Sequence, residues 1–104
     1  MSGLTGRDPG LIGSALNNPN CYVGIIPDLH HVHHANVLLA ANLKPETLFI
    51  VTDCHSPAGT SIEEFDLTGR HMYVRDGKCV DINGTLCGSN ILMHDGLKNC
   101  VNSC

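Results

Sequence analysis

Short apolar runs alternate with turn-forming residues along the 104-residue chain, and the two halves carry different patterns. Asp8-Pro9-Gly10 is a helix-start signal, since Asp can cap and Pro suits the first turn. Leu11, Ile12, Ala15 and Leu16 then supply an apolar face, which Asn17-Asn18-Pro19-Asn20 ends. Residues 21–26 form a continuous apolar run closed by Pro27-Asp28, the pattern of a strand buried on both faces. A helix over 35–43 follows, stopping before Lys44-Pro45, and 47–52 predicts a second buried strand with Asp53 at its C-terminal end. Strand, helix, strand with short links is a βαβ unit, so the strands are expected to be parallel and the class α/β.

Past Gly59 the pattern becomes that of hairpins. Phe65-Asp66-Leu67 and Met72-Tyr73-Val74 flank Thr68-Gly69, and Asp76-Gly77 separates Val74-Arg75 from Lys78-Cys79-Val80. Asp-Gly between such runs is a strong hairpin signal because both residues tolerate positive φ. Asn83-Gly84 leads to Leu86-Cys87-Gly88-Ser89, and Ser89 or Asn90 is expected to cap a final helix carrying Ile91, Leu92, Leu97 and Val101. An antiparallel β-hairpin insertion is therefore predicted before the final helix. Two parallel strands cannot protect both edges of a parallel sheet, and so small a unit seldom reaches stability from its own core.

Composition narrows the partners. A formal charge of -4 with only 6 Lys+Arg argues against a nucleic-acid surface, which needs clustered cations to displace counterions. No apolar run approaches the roughly 20 residues that span a bilayer. The first residues lack the basic and apolar regions of a signal peptide, so a cytoplasmic location is expected. Cys21, Cys54, Cys79, Cys87, Cys100 and Cys104 contain no C-x-x-C pair and are expected as reduced thiols rather than a bonded framework.

Asp53 is the sharpest chemical candidate. A carboxylate at the end of a buried parallel strand stands where such proteins place their sites, and it can act as a general base. The pattern fits equally an Asp that caps the turn Cys54-His55-Ser56-Pro57. His30, His31, His33 and His34 invite a zinc reading, but adjacent histidines in an extended link point in different directions. One histidine contacting a ligand, with the others solvated or packed, is the plainer expectation. Arg7, just before a helix start, suits an anion such as phosphate, and its alternative is a solvated surface Arg. The turn Cys87-Gly88-Ser89 can offer backbone N–H groups to a ligand, or simply cap a helix. Cys54 has no base placed beside it, and His55, His71 and His94 carry no motif.

Taken in order, Thr5-Gly6-Arg7-Asp8-Pro9-Gly10-Leu11, Gly24-Ile25-Ile26 with Asp28, His31-Val32, Val51-Thr52-Asp53, Pro57-Ala58-Gly59, Asp81, Asn83-Gly84-Thr85-Leu86 and Gly88-Ser89 resemble the C-terminal portion of the N-acetylglucosamine-6-phosphate deacetylases, of the amidohydrolase superfamily. The resemblance implies the last part of a metal-dependent (β/α)8 barrel of the TIM type, residues 1–104 forming part of its catalytic domain without the N-terminal metal-binding part. It implies hydrolysis of the N-acetyl amide to glucosamine 6-phosphate and acetate in amino-sugar catabolism, usually by a homodimer. Asp53 matches the catalytic aspartate. Arg7 matches a residue contacting the substrate phosphate, and Asp28, Leu29, His30 and His31 match a segment whose last histidine contacts the sugar phosphate. Cys87, Gly88 and Ser89 match a further substrate-contacting segment. The divalent metal, zinc or iron, is expected to have its ligands outside this chain, so the chain alone is expected to be inactive. The alternative is a truncated, non-catalytic module that binds a sugar phosphate or, through its histidines, a metal. Leu29-His30 stands where the family usually has Gly-Leu, and His33-His34, Cys54-His55 and Cys87 also depart from its usual residues.

Overall fold

The computed structural model describes residues 2–103. Its elements run α1 (Gly10–Asn17), β1 (Val23–Ile25), α2 (His34–Leu43), β2 (Leu48–Ile50), β3 (Glu64–Leu67), β4 (Arg70–Arg75), β5 (Lys78–Val80), β6 (Leu86–Ser89) and α3 (Met93–Ser103). No helix among the described residues is long and apolar enough to cross a membrane.

The start of α1 is built by its sequence. Asp8 Oδ1 accepts the Gly10 N–H at 2.9 Å, and Gly10 has φ 60 with no room for a Cβ, which would stand 2.4 Å from the Gly3 carbonyl oxygen. The other end of α1 is tied down by Lys44, a buried cation whose ammonium donates to the carbonyls of Asn18 and Cys21. A positive charge on the last carbonyls of a helix complements its dipole.

β1 and β2 pair in parallel, Val23 opposite Leu48 and Ile25 opposite Ile50, with α2 as the crossover. Ile25, Val37 and Ala40 form the buried core, with Leu16, Val32, Leu48 and Cys100 packed against it. The strands are shorter than the apolar runs at 21–26 and 47–52, and the expectation that both faces are buried is corrected. Tyr22 is 72% and Phe49 48% exposed, and Phe49 lies across Gly24 on an uncovered face. The apolar faces anticipated on the helices are likewise only partly covered: Leu11, Ile12, Leu97 and Val101 are exposed.

The second sheet is an antiparallel meander in the order β3-β4-β5-β6. Both tight turns put two consecutive residues at positive φ, Thr68-Gly69 at 49 and 82 and Asp76-Gly77 at 52 and 74. That backbone matches the twist of the flanking strands. Met72 and Cys79 are fully buried beneath this sheet. The last helix begins later than the sequence suggests. Ser89 is not a cap: it ends β6, and Ile91 and Leu92 precede α3, whose entry is held by Asp95 accepting the Leu92 N–H. Asn99 of α3 donates to the Pro27 carbonyl at 2.8 Å, which fixes the helix against the loop after β1.

Candidate active site

Two segments meet at the C-terminal end of β2. Cys54 forms a parallel bridge with Ser89, the Ser89 N–H donates to the Asp53 carbonyl at 2.9 Å, and the Ser89 hydroxyl donates to the Thr52 carbonyl. The strand carrying Asp53 thus continues into contact with β6. Residues 34 or more positions apart in sequence, Asp53 and the Cys87-Gly88-Ser89 turn, become neighbours. Ser89 is fully buried, so its two bonds anchor the backbone; it is not a side chain open to a ligand.

Asp53 itself is exposed and has φ 50. A non-glycine residue in the left-handed region costs about 1–2 kcal/mol, and such residues collect at functional sites. Gly88 is the required partner of this corner. It has φ 77, and a Cβ there would stand 2.3 Å from His55 Nε2 and 3.0 Å from the Asp53 carbonyl. His55 therefore lies directly over Gly88, with its ring 5.7 Å from that of Phe65. Sequence reasoning gave His55 no role, and no spacing rule could have found a contact that depends on the β2–β6 encounter.

The loop after β1 is organised by Asp28. Its side chain is fully buried; Oδ1 accepts the N–H groups of His30 at 3.0 Å and His31 at 2.8 Å, and Oδ2 lies 2.7 Å from His31 Nδ1. Burial pushes this carboxyl up, but the hydrogen bonds from His31 and His30 outweigh it and hold the group below its ordinary value of 3.8. An ionised Asp28 keeps a proton on His31 Nδ1, which leaves Nε2 as the nitrogen available to a ligand. Both oxygens of Asp28 are engaged internally, so its carboxylate positions the loop and the His31 ring. Leu29 has φ 65 and is exposed, so the backbone holds a conformation that favours glycine although Leu occupies it. His30 is exposed, with Nε2 facing Gly77 at the β4–β5 turn.

The histidine cluster does not converge. His33 Nδ1 accepts the Ala35 N–H and caps α2, while the His33 and His34 rings lie 4.2 Å apart and tilted against each other. Among the described residues no group of three or more His, Cys, Asp or Glu side chains could hold a metal ion. A metal site built from this cluster therefore has no support in the geometry of the described residues. The described residues do not supply the donor set of a resident divalent metal.

Arg7 is exposed at the entry to α1, with its N–H turned to Thr5 Oγ1 and its guanidinium without a protein partner among the described residues. No hydrogen bond or ion pair joins it to Asp53 or His31. Two cavities lie elsewhere, one between α1 and α2 lined by Leu4, Pro9, Leu16, Leu39 and Leu43, the other around Pro19, Lys44 and Pro45. Neither cavity is lined by Arg7, His31, Asp53 or Gly88. Cys21, Cys54, Cys79 and Cys87 are free thiols; Cys104 lies outside the described residues.

No protein-family model matches the chain. Among curated proteins, it is 36% identical over 99 residues to the N-acetylglucosamine-6-phosphate deacetylase of Haemophilus influenzae, covering 93% of this chain and 26% of that protein. It is 40% identical over 100 residues to the N-acetylgalactosamine-6-phosphate deacetylase of a Shewanella species, covering 94% of this chain and 25% of that one. Among solved structures, the N-acetylglucosamine-6-phosphate deacetylase of Pasteurella multocida superposes with a TM-score of 0.86 at 44% identity, over 93% of this chain and 25% of that chain. The chain spans about a quarter of the length of these relatives.

Proposed function

The chain corresponds in sequence and fold to a C-terminal fragment of the N-acetylglucosamine-6-phosphate deacetylase family, and from that premise we propose that it carries the proton-transferring corner of an amide-hydrolysing site. The observation that supports this reading is the meeting of Asp53 with Gly88-Ser89 at the end of a parallel strand. In this reading the α/β unit is the last part of a (β/α)8 barrel, with the antiparallel sheet inserted before the final helix.

Asp53 accepts a proton from the attacking water and returns it to the nitrogen of the departing amine, which must leave as a neutral group. Its backbone is held by Ser89, so its position is set by two strands rather than by a free loop. His31, oriented by Asp28, offers Nε2 to a phosphate oxygen, and Arg7 offers a guanidinium to the same group. His30 and Leu29 present the loop backbone, and Cys87-Gly88 the facing turn. The substrate proposed is N-acetylglucosamine 6-phosphate, handled as a small molecule by a homodimeric cytoplasmic enzyme. The zinc or iron of that chemistry finds no ligand set among the described residues, and the chain alone is accordingly expected to bind without turnover.

Two measurements test this. NMR titration of the chain with N-acetylglucosamine 6-phosphate should shift Arg7, His31 and Gly88 resonances more than its galacto epimer does; unchanged spectra count against the reading. Replacing the matching quarter of the Haemophilus influenzae enzyme with this chain should give a deacetylase whose kcat falls at least 100-fold in Asp53→Asn, an effect of the size general acid–base groups supply. An active Asp53→Asn chimaera refutes the role.

A further inference from the structure

The β5–β6 ladder places two thiols opposite one another. Lys78 pairs with Ser89 and Val80 with Leu86, so the register shifts by one residue between them. Cys79, the single residue between Lys78 and Val80, therefore faces the two-residue bulge Cys87-Gly88. A bulge sets two residues of one strand against one of the other, so Cys79 and Cys87 are cross-strand neighbours, the arrangement that a disulfide's Cα span of about 4.4–6.8 Å suits. Cys79 is fully buried and its thiol donates to the Ser89 carbonyl at 3.5 Å, so its sulfur already points across to β6. Cys87 is half-buried and reachable from solvent.

We propose that Cys79 and Cys87 form an oxidation-sensitive pair that closes to a cross-strand disulfide when the chain meets a hydroperoxide. The Cys87 thiolate attacks the peroxide oxygen, the O–O bond breaks, and Cys87 becomes a sulfenic acid with release of an alcohol or water. Cys79 then attacks the Cys87 sulfur as its proton is lost; the S–S bond forms, the S–O bond breaks, and hydroxide leaves as water. Two thiols give up two electrons and two protons to one peroxide. The order follows from exposure: burial raises the Cys79 thiol above its ordinary value, with Cys87 and Cys54 nearby adding to the shift, so Cys87 is the better first nucleophile. The bond would pin the Cys87-Gly88 bulge that sits against Asp53 and His55. It does not depend on the deacetylase reading.

The test treats the reduced chain with hydrogen peroxide, alkylates remaining thiols after unfolding, and maps non-reduced proteolytic peptides by mass. The expected result is a linked pair of peptides containing Cys79 and Cys87, reversed by dithiothreitol, with Cys54 still alkylated. In Cys87→Ser, Cys79 should remain a thiol under the same treatment. Further oxidation of Cys87 to a sulfinic acid with Cys79 still free overturns the proposal. So does a link from Cys87 to another cysteine, or no reaction at either residue.

Discussion

Removing the Asp28 carboxylate is the most informative single perturbation of the candidate site. In Asp28→Ala the N–H groups of His30 and His31 and the His31 ring nitrogen lose their common acceptor inside a buried pocket. Three hydrogen bonds to an ionised group, at about 1.5–3 kcal/mol each, amount to about 5–9 kcal/mol gross. The carboxylate's own burial cost of several kcal/mol disappears with it, which offsets much of that sum. The net loss expected is about 2–3 kcal/mol, out of a total stability on the order of 5–15 kcal/mol. Urea unfolding followed by circular dichroism should show the midpoint falling by about 1–2 M at unchanged slope. Asp28→Asn keeps one acceptor for the two backbone N–H groups and should lose only about 1 kcal/mol. The pH dependence has a definite sign. Because the folded carboxyl lies below its ordinary value of 3.8, its contribution is complete above that value and fades as the pH falls through the lower, folded one. The gap between wild type and Asp28→Asn should close in strong acid. An Asp28→Ala chain within 0.5 kcal/mol of wild type at neutral pH, about the scatter of ordinary surface substitutions, refutes the reasoning.

Gly88→Ala should cost about 2–3 kcal/mol, from the left-handed φ and the collision with His55 and the Asp53 carbonyl. Adding His55→Ala should recover the steric share, a non-additivity readable in a double-mutant cycle by urea unfolding. Leu29→Gly should stabilise by about 0.5–1 kcal/mol, because relief at φ 65 exceeds glycine's added chain entropy; a loss of stability in the same assay contradicts this. His71, whose ring nitrogens face Asp66 at 2.9 Å and Glu64 at 3.3 Å, should titrate above 6.5 by NMR. The hydrogen bond that the ring donates to Asp66 is the main cause, so Asp66→Asn should lower the midpoint more than Glu64→Gln does. Its stabilising effect is present below 6.5 and is lost as pH rises through the folded value.

The hairpin turns were legible because their signal is local: Thr68-Gly69 and Asp76-Gly77 each carry the residues that two successive positive φ angles demand. The parallel pair was legible in kind and overestimated in extent. An apolar run reports the tendency of residues 21–26 and 47–52 to be covered, while the strand bounds report where hydrogen bonds form, and only three residues of each run pair. Ser89 misled because a serine before an apolar segment reads as a cap, whereas its hydroxyl is used on the Thr52 carbonyl, a contact 37 residues away. Asp53 could be placed at a strand end from sequence, and the family resemblance named its companions. That the Cys87-Gly88 bulge lies against it through His55 is a property of the β2–β6 encounter, which no local pattern encodes. Asp28 was legible as important but not as buried, since its role depends on Leu29 accepting a left-handed turn.

The bare side of the β1–β2 pair governs how this chain behaves in a tube. Tyr22 and Phe49 stand there, and Leu38, Leu39 and Leu43 of α2 are also exposed. A two-stranded parallel sheet leaves unpaired backbone groups along its margins, a template on which another molecule can add. Repulsion from a net charge of -4 is the force that keeps such molecules apart, and it weakens within about 10 Å at 0.1 M salt. Concentration and ionic strength, more than heat, should therefore set the limits within which the chain stays dispersed, with dilute, low-salt buffer as its favourable regime.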